Sequence, residues 1–284
     1  MPWARLGANI LSLGSTLALA TALLFAVAAP ALAQRAASSG SACGGDIGLA
    51  VPPGGGTGTA AILLHRREIV TNLHVVDHRC TGNTRFSFWY GYSNGRSRAS
   101  IGATIVARGN YCRSARRGTS ADTEDWAIAV LDRDPAAGGR MSQRPMRPLG
   151  LYAGSMSNLE SANGRYFLMG YGMAFRSGQT PYASPACSVS PTATSDVVEH
   201  SCFASARSSG APIVFRTPQG ACKMIALHFG ELRDGARGGR HGARRGGASN
   251  VAILSRRFEA AASAVARELN QGKSATQIAA DLRR

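Results

Sequence analysis

Lysine is nearly absent from this chain of 284 residues: Lys223 and Lys273 are the only two, and every other basic side chain of that class is arginine. Acidic residues are also scarce, 16 against 32 basic ones, which leaves a formal net charge of +16. A surplus of that sign suits anionic partners, whether acidic substrates, anionic surfaces or nucleic acid. The arginines are spread along the chain, so their number alone fits a genome rich in Arg, Ala and Gly codons equally well. No Cys-x-x-Cys pair occurs. That absence argues against a structural zinc site, and neither metal nor cofactor is expected.

Charge is missing entirely between Arg5 and Arg35. The apolar run ILSLGSTLALATALLFAVAAPALA ends in Ala31-Leu32-Ala33, a small-x-small pattern that suits signal-peptidase cleavage. It is long enough to span a bilayer, but Pro30 and the cleavage pattern favour a signal peptide over residues 1–33. The mature chain is then expected to be exported, either periplasmic or secreted. Export argues against nucleic acid as a specific partner. All six cysteines lie beyond residue 33, and an even number in an exported chain points to disulfides.

Long helical periodicity is lacking until Arg256. Before it come short apolar runs bounded by turn residues: TGTAAILLH and EIVTNLHVV around Arg66-Arg67, then RFSFWYGY, ASIGATIVA and DWAIAVLD. Residues 132–149 carry three prolines and little pattern, so a connector is expected there. RYFLMGYGM, APIVFR and CKMIALHFG repeat the strand style. Residues 232–248 are Gly/Arg-rich and read as a loop that offers an anionic surface or acidic substrates a contact. RRFEAAASAVARELN places Phe258, Ala262, Val265 and Leu269 at helical spacing, and Ser274 is positioned to cap a final short helix. The pattern predicts an all-β protein of two antiparallel β-barrels with a C-terminal α-helix. The expected divisions are a signal peptide (1–33), a first barrel (34–145), a second barrel (146–255) and a helical segment (256–284).

Three stretches carry candidate chemistry. IVTNLHVVDH holds His74 directly behind a strand. DTEDWAIAVLD offers Asp125, with Asp122 and Glu124 as neighbours; only Asp125 has the Trp-Ala-Ile-Ala-Val run behind it. ARSSGAPIVF offers Ser208 and Ser209, and Ser209 is followed by Gly210 and Pro212. These segments, in the order His, Asp, Ser, resemble those of the chymotrypsin-fold, trypsin-like serine peptidases, most nearly the bacterial glutamyl-endopeptidase-like branch. The resemblance covers roughly residues 55–268. It implies a general base at His74, an orienting carboxylate at Asp125, a nucleophile at Ser209 and an acyl-enzyme intermediate. It also places His228, Ala204 and Phe203 around the substrate side chain that precedes the cleaved bond. With Phe203 where trypsin keeps an aspartate, cleavage after Arg or Lys is not expected, and a neutral or mildly acidic residue is.

The family's glycine two places before the nucleophile is missing. The resemblance puts the oxyanion hole on the backbone N–H groups of Ser209 and Arg207, and Arg207 stands where that glycine belongs. The turn favours Gly because its conformation is costly for other residues. Ser208 replaces the aspartate that pairs with a freed N-terminus in trypsin-type zymogens, so that activation switch is absent. For the cysteines, the resemblance suggests Cys80–Cys112 near His74 and Cys202–Cys222 bracketing Ser209, which leaves Cys43 with Cys187. The expected function is an exported serine endopeptidase acting as a monomer on protein or peptide substrates. The alternative is a catalytically impaired protease-fold binding protein.

Overall fold

The computed structural model describes residues 35–36, 43, 47–116, 122–137, 147–152, 154, 166–192, 196–217, 220–232 and 249–283. The segment 1–33 expected to be a signal peptide, most of the expected connector and nearly all of the Gly/Arg-rich stretch lie outside these residues.

Six strands form a closed antiparallel barrel: β2 (Ile47–Val51), β3 (Gly58–Ile62), β4 (Glu68–Thr71), β5 (Arg85–Tyr90), β6 (Ala99–Arg108) and β7 (Ala127–Leu131). Alternation explains the closure. The barrel interior takes Ala50, Ala60, Ala103, Ala127 and Ala129 together with Ile62, Ile69, Phe88, Ile101 and Leu131. Small residues interleaved with large ones let a narrow barrel close without voids. Ile128 and Val130 point the other way and join a second cluster. AIAVL is therefore apolar throughout because both of its faces are buried.

The other strands are β1 (Arg35–Ala36), β8 (Gly150–Leu151), β9 (Tyr166–Gly170), β10 (Tyr182–Ala183), β11 (Val189–Pro191), β12 (Val197–His200), β13 (Pro212–Arg216), β14 (Cys222–Leu232) and β15 (Ser249–Leu254). They run β1-β10-β9-β13-β14-β15-β12-β11, with β8 parallel to β14. This sheet curls as a half-barrel: just ahead of β11, Cys187 makes an isolated antiparallel bridge to Tyr166 of β9. β1 comes from the lead-in before the first barrel yet pairs with β10.

Among the described residues, four α-helices complete the fold: α1 (Leu73–Asp77), α2 (Tyr111–Arg116), α3 (Glu259–Asn270) and α4 (Ala275–Asp281). α3 buries Ala262, Val265, Ala266 and Leu269. Ser274 caps α4 through a capping box with Gln277. Phe258, Val265, Leu269 and Ile278 share one cluster with Val70, Ile128 and Val130, so the C-terminal helices cover the outside of the first barrel.

All six cysteines are paired, but two of the three expected pairings are corrected. Cys80–Cys112 forms; the other bridges are Cys43–Cys222 and Cys187–Cys202. Strand pairing decides this. β11 and β12 run antiparallel with Val189 opposite His200, which brings Cys187 beside Cys202. Cys222 opens β14 opposite Arg216 and takes Cys43 from the lead-in.

Candidate active site

Asp125 and His74 meet through two hydrogen bonds. The His74 backbone N–H donates to Asp125 Oδ1 at 2.9 Å, and the ring Nδ1 lies 2.5 Å from Oδ2. Two anchor points on one carboxylate fix both the first turn of α1 and the ring. The Asn72 side chain donates to the Asp125 carbonyl at 2.7 Å and so holds the segment ahead of β7. Asp125 is 3% exposed. The competitors do not share this place: Glu124 accepts from the Asn110 N–H and pairs with Arg257.

Ser209 sits on the turn between the two halves of the molecule. Its hydroxyl donates to the Phe229 carbonyl at 3.5 Å. His74 and Ser209 line one cleft of about 320 Å³ with Gly54, Gly55, Gly56, Thr57, Val75, His78 and Arg79. Thr59 of β3 holds the turn that carries Ser209. Its N–H donates to the Ser209 carbonyl at 2.8 Å, and its hydroxyl donates to the Arg207 carbonyl at 3.1 Å while accepting from Tyr171 N–H at 3.0 Å. Two glycines permit this approach. A Cβ at Gly58 would stand 2.8 Å from the Ser209 carbonyl oxygen, and one at Gly210, where φ is +83°, would overlap the Thr59 carbonyl.

Arg207 adopts the conformation that glycine would supply, with φ of +73°. The Ser208 N–H donates to the Ser205 carbonyl at 2.8 Å, which makes residues 205–208 a type II turn with Arg207 at its left-handed position. A side chain there costs about 1–2 kcal/mol. The Ala206 carbonyl accepts from the Met173 N–H at 2.9 Å. The peptide is trans, so the Arg207 N–H points the opposite way. Among the described residues, neither this N–H nor that of Ser209 has an acceptor. Ser208 is fully buried, where its hydroxyl accepts from the Ser205 N–H and meets the Tyr182 hydroxyl, both at 3.0 Å. The turn is therefore held by hydrogen bonds of Ser208 to Ser205 and Tyr182.

Phe203 and Ala204 follow β12 and lead into the turn that carries Ser209. Tyr182 donates its hydroxyl proton to the Phe203 carbonyl and stacks edge-on against the ring. His228 of β14 is 3% exposed, and its Nδ1 lies 3.0 Å from Nε2 of His200, a residue the sequence reading did not single out. Burial pushes the His200 pKa down to about 4; burial, then the neighbouring His200, pushes that of His228 down to about 3. Both rings are neutral at pH 7. His200 was findable only as an inward position of VVEH, opposite Asn250 of β15. Asn72, Thr59 and Tyr182 were equally silent, since their roles depend on partners far away in sequence.

Among the described residues, no group of His, Cys, Asp and Glu is arranged to hold a metal ion. A curled half-barrel beside a closed six-stranded barrel, with His and Asp on one and Ser on the other, decides the architecture. The fold is that of the chymotrypsin-like serine peptidases. Comparison with a solved structure agrees with this fold. A Glu endopeptidase determined in complex with MPD is 14% identical, with a TM-score of 0.53, over 81% of this chain and 97% of that one. A thermostable serine protease, AL20, from an extremophilic microorganism aligns at 17% identity and a TM-score of 0.46, over 77% of this chain and 96% of that one. Neither a family model nor a curated relative matches at the level of sequence.

Proposed function

We propose that this chymotrypsin-fold protein is an exported serine endopeptidase. Ser209 is the nucleophile, His74 its general base and later the acid that protonates the leaving amine, and Asp125 the group that fixes the His74 tautomer. The observation that carries this reading is the doubly anchored His74–Asp125 pair opening onto the same cleft as Ser209. When His74 takes the hydroxyl proton, Oγ attacks the carbonyl carbon. The oxyanion then falls to the N–H groups of Arg207 and Ser209, and the amine leaves to give an acyl-enzyme that water hydrolyses. The residue before the cleaved bond meets Phe203, Ala204 and His228. A neutral His228 supports an uncharged or mildly acidic side chain there. Export rests on residues 1–33.

Folded protein is expected to be labelled by a fluorophosphonate probe, and Ser209→Ala to remain unlabelled. The alternative, a catalytically impaired binding protein on the same fold, is favoured by one observation: the Ser209 hydroxyl is directed to the Phe229 carbonyl. It predicts a folded wild type that does not label, and partner binding unchanged by Ser209→Ala.

A further inference from the structure

The cleft opens beside His74 and Ser209. It is bounded by Gly54 to Thr57, His74, Val75, His78 and Arg79, and none of Phe203, Ala204 or His228 reaches it. On the peptidase reading, on which this inference rests, the leaving amine departs over His74, so this cavity receives the chain after the cleaved bond. Its outer wall is backbone. Gly54, Gly55 and Gly56 all have positive φ, and a Cβ on any of them would meet nothing within 4 Å. The Thr57 hydroxyl, also on this wall, has no protein partner.

The charge around this cavity is of one sign. Arg79 and His78 stand exposed just past α1. Asp77 is not available to neutralise them, because its carboxylate is buried and already accepts from Thr81 and Gly82 with Arg108 alongside. Asp125 is committed to His74. Arg207 stands two residues before Ser209, which lines the cavity, and its carbonyl is tied to Thr59 of β3. Its side chain lies against the loop after β9: a Cβ at Gly178 would stand 3.1 Å from Nη1 and 3.2 Å from Cδ of Arg207. Arg176 of that loop is exposed, its guanidinium 5.7 Å from the centre of the Phe175 ring. Among the described residues, neither Arg79 nor Arg207 has an acidic partner. An unpaired guanidinium beside a backbone wall is suited to bind a carboxylate in a charge-assisted pair.

We propose that Arg79 and Arg207 form a subsite for acidic side chains on the leaving-group side, so that the enzyme cleaves bonds followed within two residues by Asp or Glu. Arg207 thus has two separate duties, its N–H in the oxyanion hole and its side chain in selection.

The test uses internally quenched peptides with one common acyl half and Asp, Ala or Lys at the two positions after the cleaved bond. Each kcat/KM is divided by that of a small ester carrying the same acyl half and nothing beyond it. The wild type is expected to favour Asp over Ala by about tenfold at low salt, and less at high salt. In the double variant Arg79→Ala, Arg207→Gly, which keeps the N–H of residue 207, the ratio is expected to fall to about one. A wild-type ratio near one, or a ratio unchanged in the double variant, overturns the proposal while ester hydrolysis leaves the peptidase reading standing. Folded protein that cleaves neither ester nor peptide overturns both.

Discussion

Glu68 gives a quantitative test of the fold that is independent of catalysis. It lies on β4 opposite Val130, is fully buried, and among the described residues neither carboxyl oxygen has a hydrogen-bond partner. Burial pushes its pKa up from 4.5 to about 8, so at pH 7 it is folded as the neutral acid. Because the folded value is raised, the protonated carboxyl's contribution is complete below the unfolded pKa and is lost as pH rises through the folded one. Between those limits the native state holds one extra proton, and stability falls by about 1.4 kcal/mol per pH unit. Over pH 5 to 8 the loss is on the order of 3 kcal/mol. Glu68→Gln cannot titrate. Urea denaturation of wild type and Glu68→Gln, both in a Ser209→Ala background to prevent self-digestion, should give curves that diverge along pH with this slope. Histidine titration is common to both and cancels in the difference. Parallel curves from pH 5 to 8 would refute the buried-acid argument, whatever the absolute offset between the two proteins.

Two further outcomes follow from other contacts. Gly210→Ala would drive a methyl group into the Thr59 carbonyl at a φ of +83°; it is expected to destabilise by roughly 3 kcal/mol or more in urea titration and to abolish probe labelling. The His200–His228 pair titrates oppositely to Glu68: its folded pKa values are depressed, so its contribution is present above pH 6.5 and is lost as pH falls towards 4. His200→Asn should flatten the fall in stability between pH 6 and pH 4, read from denaturation midpoints.

How much of the site was legible depended on whether a residue's role is local. His74 and Asp125 each sit at the end of an apolar run that dictates a strand, and Ser209 is followed by a Gly-x-Pro turn, so all three stood out. The doubt raised by Arg207 was local too, since a missing glycine signals a left-handed turn. Its resolution was not: Met173 holds the Ala206 carbonyl and Thr59 the Arg207 carbonyl, from 33 or more positions away. His200, Thr59 and Tyr182 acquired their roles only through strand register.

The short alternating strands, the terminal amphipathic helix with its Ser274 cap, and the order His74, Asp125, Ser209 were all readable along the chain. These follow from side-chain periodicity and backbone preference, which act over a few residues. Three-dimensional packing was needed to establish which cysteines pair, that the second sheet curls as a half-barrel, that β1 crosses to join it, and that the Arg207 N–H has no acceptor among the described residues. Each of those depends on which strand lies beside which, and that is set by burying both faces of β7 and by the close approach of Gly58 and Gly210 across the two halves.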